Sequence, residues 1–297
     1  MPPPDARTVL LIGATGQIGH ELRGPLSDVG TVVAPDRDTL DLTAPDTIRR
    51  TVRDAAPDVI VNAAAYTAVD RAEEEPERAA AINARAPGIL AGAAAEVGAR
   101  LVHYSTDYVF DGTSDTPYTE ADGPRPINVY GRTKHEGEVA IRESAAQSLI
   151  LRTSWVYSER RSNFLRSMLR LADEVERLTV VDDQIGAPTS AAWVAEATTA
   201  ILRRLQERPA PEKNELYHVT ASGQTSWYGF AKAIFAQFER PDVVVEPITS
   251  DEYPTAAERP AYTVLDSGKA RTRFGLNIPT WSEQLAAVRR RMAGVQN

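Results

Sequence analysis

The 297-residue sequence predicts an α/β protein, a doubly wound parallel sheet followed by a smaller C-terminal lobe. Three observations carry that expectation. Short apolar runs alternate with helical segments through the first half, a glycine-rich turn follows the first run, and the alternation loosens after about residue 153. Apolar runs separated by helices need crossover connections, and crossovers of one hand cover both faces of a parallel sheet.

Strands are expected at Val9–Ile12, Thr31–Ala34, Val59–Ala65, Leu101–Ser105 and Leu149–Thr153, each a short apolar run bounded by turn or helix signals. Between them Gln17–Ser27, Asp46–Ala56, Glu74–Gly98 and Asn128–Ala146 read as helices. Further on come a helix at Ser162–Glu176, a strand at Leu178–Val181, and helices at Ala191–Glu207 and Trp227–Glu239. Thr280 and Glu283 have the spacing of a capping box ahead of a terminal helix over Leu285–Met292. Pro209 and Pro211 mark a surface loop, and the Pro- and acid-rich stretch Pro247–Pro260 reads as irregular.

Strand Val9–Ile12 runs straight into Gly13-Ala-Thr-Gly16-Gln-Ile-Gly19 and then a helix. Missing side chains in such a turn let backbone N–H groups approach a pyrophosphate at the helix N-terminus. Strand, turn and helix in that order point to a dinucleotide site and a sheet of the Rossmann type. The second strand is followed by Pro35-Asp36-Arg37, where a carboxylate suits the ribose hydroxyls of NADH and a guanidinium suits the 2′-phosphate of NADPH. That pair leaves both cofactors open. Residues 1–153 are therefore expected to be mainly the dinucleotide-binding domain and 154–297 mainly a substrate-binding lobe, with the chain free to cross between them.

Tyr130-Gly-Arg-Thr-Lys134 puts a phenol and an amine one helical turn apart. A tyrosine ordinarily titrates near 10, and a neighbouring cation moves its phenol toward the working range of an acid–base catalyst. Spacing alone is weak evidence, because Tyr228-Gly-Phe-Ala-Lys232 repeats it; that copy follows no suitable strand and reads as structural. The first copy has company. Ser105-Thr106-Asp107 ends one strand, Asn62-Ala-Ala-Ala65 ends another, and Asn83 lies in the helix between them. Hydroxyls and small side chains at the carboxyl edge of a sheet are where α/β proteins bind ligands.

Composition narrows the classes. A formal charge of −8 disfavours a nucleic-acid partner, and Arg289-Arg290-Arg291 reads as a solvated helix face. No apolar run approaches the 18 or so residues of a membrane span, and Met1–Asp5 lacks the basic start of a signal peptide. The absence of cysteine fits a cytoplasmic protein. His20, His103, His135 and His218 show no metal-ligand spacing, so no catalytic metal is expected.

With these residues in view the chain resembles the extended short-chain dehydrogenase/reductases and, within them, the dTDP-4-dehydrorhamnose reductase family. The resemblance runs over nearly the whole chain. Its specific strings are Val61–Asp70, His103–Phe110, Asn128–Lys134, Arg152–Tyr157, Asp183–Thr189 and Arg259-Pro260. It implies that Thr106, Tyr130 and Lys134 are catalytic: Thr106 would hydrogen-bond the substrate carbonyl, Tyr130 would donate the proton, and Lys134 would bind the nicotinamide ribose and lower the tyrosine pKa. Hydride would pass from NADPH, or NADH, to C4 of dTDP-4-dehydro-L-rhamnose, giving dTDP-L-rhamnose.

Gly13, Gly16, Gln17, Ile18, Gly19, Asp36, Arg37, Asp41, Leu42, Ala65, Tyr66 and Thr67 would surround the cofactor. Val69, Asp107, Tyr108, Trp155 and Asn163 would line the sugar pocket, with Trp155 stacking on a sugar or base, and Arg259 would hold the diphosphate. The chain departs from the family in the short stretch between Asp36 and Asp41. The resemblance also admits a homodimer and, in some members, a Mg2+ ion at the dimer contact, whose ligands the sequence does not identify. Two other readings keep the same scaffold: a reductase of another nucleotide-linked keto-sugar of the dihydrostreptose type, and a non-catalytic regulatory subunit such as the methionine adenosyltransferase β-subunit.

Overall fold

A computed structural model describes residues 7–207 and 213–294; Met1–Asp5 and the loop expected at Pro209 and Pro211 lie outside the described residues. Six parallel strands form the central sheet: β1 (Thr8–Ile12), β2 (Thr31–Val33), β3 (Val59–Asn62), β4 (Arg100–Thr106), β5 (Gln147–Thr153) and β6 (Asn214–His218). Their order across the sheet is β6-β5-β4-β3-β1-β2. The order reverses between β1 and β3, which are paired Val9 to Val59 through Ile12 to Asn62. In an open α/β sheet the crevice at such a reversal, beyond the carboxyl ends of the strands, is the ligand site.

Alternation along the strands builds two cores. Val9, Leu11, Val61, Val102, Leu149 and Leu151 face one side and pack with Trp193, Ile201 and Phe274. Leu10, Ile12, Ile60, Leu101 and Ile150 face the other and pack with Ile48, Val52, Leu90 and Ile141. Helix Ala191–Glu207 covers the first face; Pro45–Ala55, Ala86–Val97 and Val129–Glu143 cover the second. A third core, with Tyr157, Leu165, Phe230, Ile234 and Leu285, belongs to the smaller lobe. That lobe carries helices Phe164–Leu171, Trp227–Gln237 and Trp281–Met292 and the parallel pair Arg177–Val181 with Val244–Ile248.

Several expectations shift. β3 stops at Asn62, and Ala63–Ala65 follow it without regular secondary structure. The helix expected from Glu74 starts at Val69, breaks at Glu75, where the residue before Pro76 leaves the helical region (φ −120°, ψ 50°), and includes one π-type turn over Ala81–Arg85. The helix expected over Ser162–Glu176 shortens to Phe164–Leu171, capped by Asn163. Within the stretch expected to be irregular, Pro247 and Ile248 complete an edge strand. β6 went unforeseen: the chain leaves the sheet at Thr153 and returns at Asn214 to pair with Ser148–Arg152. The terminal capping box is present, with Glu283 N–H donating to Thr280 Oγ1 (3.2 Å) and Thr280 N–H to Glu283 Oε2 (2.7 Å).

Candidate active site

The glycine turn is shaped by its neighbour rather than by its own sequence alone. Gly13 has φ 81°, and a Cβ there would lie 2.6 Å from Ala64 N. The turn after β1 thus touches the backbone after β3 directly, which only glycine permits. Gly16 closes the turn with its N–H on the Gly13 carbonyl (2.8 Å). A Cβ on Gly19 would lie 2.1 Å from that same carbonyl oxygen. The missing side chains let the turn close on itself and on the backbone after β3, so the helix N-terminus is held at the sheet's reversal point, where a dinucleotide phosphate fits.

Gln17 opens the first helix and reaches the other lobe, donating to the Val156 carbonyl (3.2 Å) and accepting from Ser158 Oγ and Asn163 Nδ2 (both 2.9 Å). Ile18 packs against the first core. Asp36 and Asp41 are exposed and accept from Thr39 N–H (2.9 Å) and Thr43 N–H (2.8 Å), bonds that hold both carboxyls below their ordinary range. Arg37 beside them is exposed, and Leu42 packs on the second core.

Ala65 and Tyr66 sit half-buried on the crevice wall, with Thr67 exposed beyond them. Asn83, in the π-type turn, clamps Tyr66 from both sides: its Oδ1 accepts Tyr66 N–H (2.8 Å) and its Nδ2 donates to the Tyr66 carbonyl (3.0 Å). It also reaches Thr133 Oγ1 on the Val129–Glu143 helix (3.3 Å). Asn83 therefore ties that helix to the crevice wall.

The Val129–Glu143 helix begins at Asn128, whose Oδ1 accepts Gly131 N–H (2.8 Å). Gly131 lies so close to the segment after β4 that a Cβ would stand 2.0 Å from the Tyr108 carbonyl oxygen. That approach brings Tyr130 to Tyr108, edge to face with ring centroids 5.8 Å apart, and within reach of Thr106. Enclosure pushes the Tyr130 phenol up to about 12, opposed by the nearby Thr106 side chain. Thr106 Oγ1 donates to Asp107 Oδ1 (2.9 Å), and Ser154 Oγ donates to Asp107 Oδ2 (2.8 Å). Burial raises the Asp107 carboxyl to about 6, while the hydroxyls of Thr263, Ser154 and Thr106 pull it back.

Lys134 is buried and does not bond Tyr130; its Nζ donates to the Tyr104 carbonyl (2.5 Å) and meets His103 Nε2 at 3.0 Å. Burial pushes the amine down to about 8, against the pull of the Glu138 carboxylate one turn along. Glu138 is itself gripped by Arg152 of β5 through Nε (2.8 Å) and Nη2 (2.7 Å), both residues fully inside.

The proposed sugar residues are more dispersed. Val69 opens a helix whose next residue, Asp70, pairs with Arg259 Nη2 (2.8 Å). Arg259 also donates to the Ala257 carbonyl, so its guanidinium is already engaged, though its charge still acts on Tyr108. Asn163 caps its helix through Arg166 N–H (3.1 Å) in addition to its bond to Gln17. Trp155 is held in the left-handed region (φ 45°), unusual for a bulky residue. Its indole stacks on Trp227 (3.5 Å, 2°) and lies against Gly186, so in the structure the stacking partner expected from a ligand is a tryptophan. Trp227 and His103 are neighbours of the site that local spacing did not single out. The second Tyr/Lys pair lies apart: Lys232 is exposed, with Nζ 5.1 Å above the ring of Tyr228 in its own helix. Among the described residues no group of three or more His, Asp or Glu side chains could hold a metal ion.

A family model described as RmlD substrate binding domain matches residues 7–293. A protein of Burkholderia thailandensis named dTDP-4-dehydrorhamnose reductase is 47% identical over 92% of this chain and 95% of its own length. The protein of the same name from Escherichia coli K12 is 44% identical, covering 92% and 94%. The chain belongs to the dTDP-4-dehydrorhamnose reductase family. A crystal structure of the family from Bacillus anthracis, in complex with NADP, superposes with a TM-score of 0.88 at 36% identity over 95% of this chain and 98% of that one. Rossmann-type neighbours extend to a UDP-glucose 4-epimerase of Thermotoga maritima, a likeness of fold (TM-score 0.77, 19% identity). No helix among the described residues is long and apolar enough to cross a membrane.

Proposed function

We propose that this chain reduces the C4 carbonyl of dTDP-4-dehydro-L-rhamnose to give dTDP-L-rhamnose, with NADPH as the reductant. The observation that carries the reading is the meeting of Thr106, Asp107 and Tyr130 beside a bare glycine turn at the sheet's reversal point, in a chain 47% identical to a named reductase of that substrate. Bound reduced nicotinamide would supply the hydride. Tyr130, kept protonated by enclosure, gives its proton to the developing alkoxide, and Thr106 orients the carbonyl oxygen. Asp107 holds the Thr106 hydroxyl until substrate competes for it. Lys134 binds the nicotinamide ribose and, once beside Tyr130, lowers the phenol's pKa.

Gly13, Gly16, Gln17, Ile18 and Gly19 would hold the pyrophosphate end. Asp36, Arg37, Asp41 and Leu42 would hold the adenosine end, and Ala65, Tyr66 and Thr67 the nicotinamide side. Val69, Tyr108, Trp155, Asn163 and Arg259 would face the nucleotide-linked sugar. The division falls at about residue 153 with one refinement: residues 191–207, 214–218 and 268–274 belong with the sheet, and the other described residues between 154 and 294 form the substrate lobe. A cytoplasmic setting goes with the reading, because each turnover consumes a reduced nicotinamide nucleotide. The test is direct. Purified protein mixed with NADPH and dTDP-4-dehydro-L-rhamnose should oxidise the cofactor and yield dTDP-L-rhamnose. No oxidation, or faster oxidation with another dTDP-4-keto-sugar, would replace the assignment.

A further inference from the structure

The polar groups behind Lys134 can be followed one donor at a time. Ala64 N–H donates to Asn62 Oδ1 (3.2 Å). That bond fixes the Asn62 amide, turning its NH2 the other way. The NH2 meets His103 Nδ1 at 3.1 Å, and an amide nitrogen can only donate. Nδ1 is therefore the bare nitrogen of His103, and a neutral imidazole then carries its hydrogen on Nε2. Nε2 faces Lys134 Nζ at 3.0 Å, while Nζ also serves the Tyr104 carbonyl.

An ammonium has three donors and no lone pair. A charged Lys134 would set N–H against N–H where His103 and Lys134 are 1% and 2% exposed. Turning the imidazole to its other tautomer only moves the conflict: Nδ1–H would then face the Asn62 NH2, and flipping that amide would set its NH2 against Ala64 N–H. A neutral amine resolves it, accepting Nε2–H on its lone pair and keeping hydrogens for Tyr104.

We propose that His103, its tautomer fixed by Asn62, is a positioning residue that favours the neutral amine of Lys134 against Tyr104 in the cofactor-free protein and so lowers its affinity for a proton. That affinity is restored when Lys134 is drawn toward the ribose and Tyr130, a step that rests on the role given to Lys134 above. The groups facing the amine divide by sign. Glu138, on its own helix, favours the ammonium, and Arg152 of β5 offsets that charge through its bidentate pair. His103 of β4 is held well below its ordinary value by burial and by Lys134, so it contributes an uncharged ring. Until the amine is released, Tyr130 has no cation beside it and stays a phenol, ready to donate rather than already spent.

The chain has four lysines, at 134, 213, 232 and 269. Labelling lysine with 13C at Cε therefore gives four NMR titrations, and Lys134→Arg removes the one to follow. In the cofactor-free protein Lys134 should titrate near 8, below the ordinary lysine value of about 10.4. At about pH 9 the 15N shifts of His103 should place the hydrogen on Nε2. His103→Gln offers the amine a carbonyl oxygen, which suits an ammonium, and should raise the Lys134 midpoint by about one unit or more, tenfold in proton affinity.

Lys134 titrating at the ordinary lysine value of about 10.4, a hydrogen on Nδ1, or an equally low midpoint in His103→Gln would each overturn the proposal. Should the variant fail to fold, the two wild-type readouts decide. A protein with these titrations but no keto-sugar reductase activity would sink the proposed function and leave the His103–Lys134 coupling standing.

Discussion

Two helices of this molecule begin almost identically. Asn128 Oδ1 caps one through Gly131 N–H, and Ser226 Oγ caps the other through Gly229 N–H. Each places a tyrosine two residues after its cap and a lysine one turn later, at Tyr130 and Lys134 and at Tyr228 and Lys232. What differs is the surroundings. The first helix is pressed against the end of β4, so its tyrosine meets Thr106 and its lysine is buried on Tyr104 and His103. The second lies on the small lobe, and its lysine hangs over its own tyrosine in solvent. Local sequence sets the geometry of the pair; packing from distant strands sets its chemistry.

The sharpest way to break that contrast is to remove both phenols in turn. Tyr130→Phe should lower kcat by about 10²–10⁴-fold, the usual worth of a positioned general acid, with cofactor affinity nearly unchanged. Tyr228→Phe should leave turnover within about twofold. A Tyr130→Phe protein that kept a third of its kcat would end the assignment.

Stability should divide the helices in the same way. Glu138→Ala leaves the Arg152 guanidinium buried without its partner, a loss of about 3–5 kcal/mol. Lys232→Ala removes one exposed cation–π contact, worth about 0.5–1 kcal/mol. Denaturant midpoints measure both, and similar midpoints would mean that burial of the first helix counts for little.

Arginine pairs extend the comparison to the substrate lobe. Arg259, mostly enclosed and bonded to Asp70, is set against Arg203, half-exposed and bonded to Asp28. If Arg259 also grips the diphosphate, Arg259→Ala loses one or two charge-assisted hydrogen bonds, and kcat/KM should fall by about tenfold to a few hundredfold, mainly through KM. Arg203→Ala should leave KM where it was. An unchanged KM in both would reduce Arg259 to a partner of Asp70. The smallest effect is expected at the adenosine end, where Arg37→Ala should weaken NADPH binding a few-fold more than NADH binding, an exposed charge–charge contact being worth about 1 kcal/mol or less. Equal losses for the two cofactors would remove Arg37 from the site.

Legibility in the sequence followed the reach of each interaction. The glycine turn, the Asn128 cap with its tyrosine and lysine, and the Ser105-Thr106-Asp107 edge are written within a few residues, and β1 through β5 announce themselves as apolar runs. β6 does not: Asn214-Glu-Leu-Tyr-His218 mixes polar and apolar residues and becomes a strand because Ser148–Arg152 waits at the edge to pair with it. The clamp of Asn83 on Tyr66, the chain from Asn62 through His103 to Lys134, and the stacking of Trp227 on Trp155 all join residues far apart in the chain. Position relative to a strand end located the site. The partners that tune it come from the fold.

The return of the chain to build β6 bears on how this protein is made. During synthesis, β5 emerges with Leu149, Ile150 and Leu151 already committed to the interior and one edge of its ladder open. The edge stays open until His218 has been added, several seconds later at about 5–20 residues per second. Helix Ala191–Glu207, which covers one face of the same sheet, arrives within that interval. A fragment ending near residue 153 would therefore present a long apolar strand edge and a bare sheet face, the kind of surface that pairs with copies of itself. Only a nascent chain that has passed His218 can shield both.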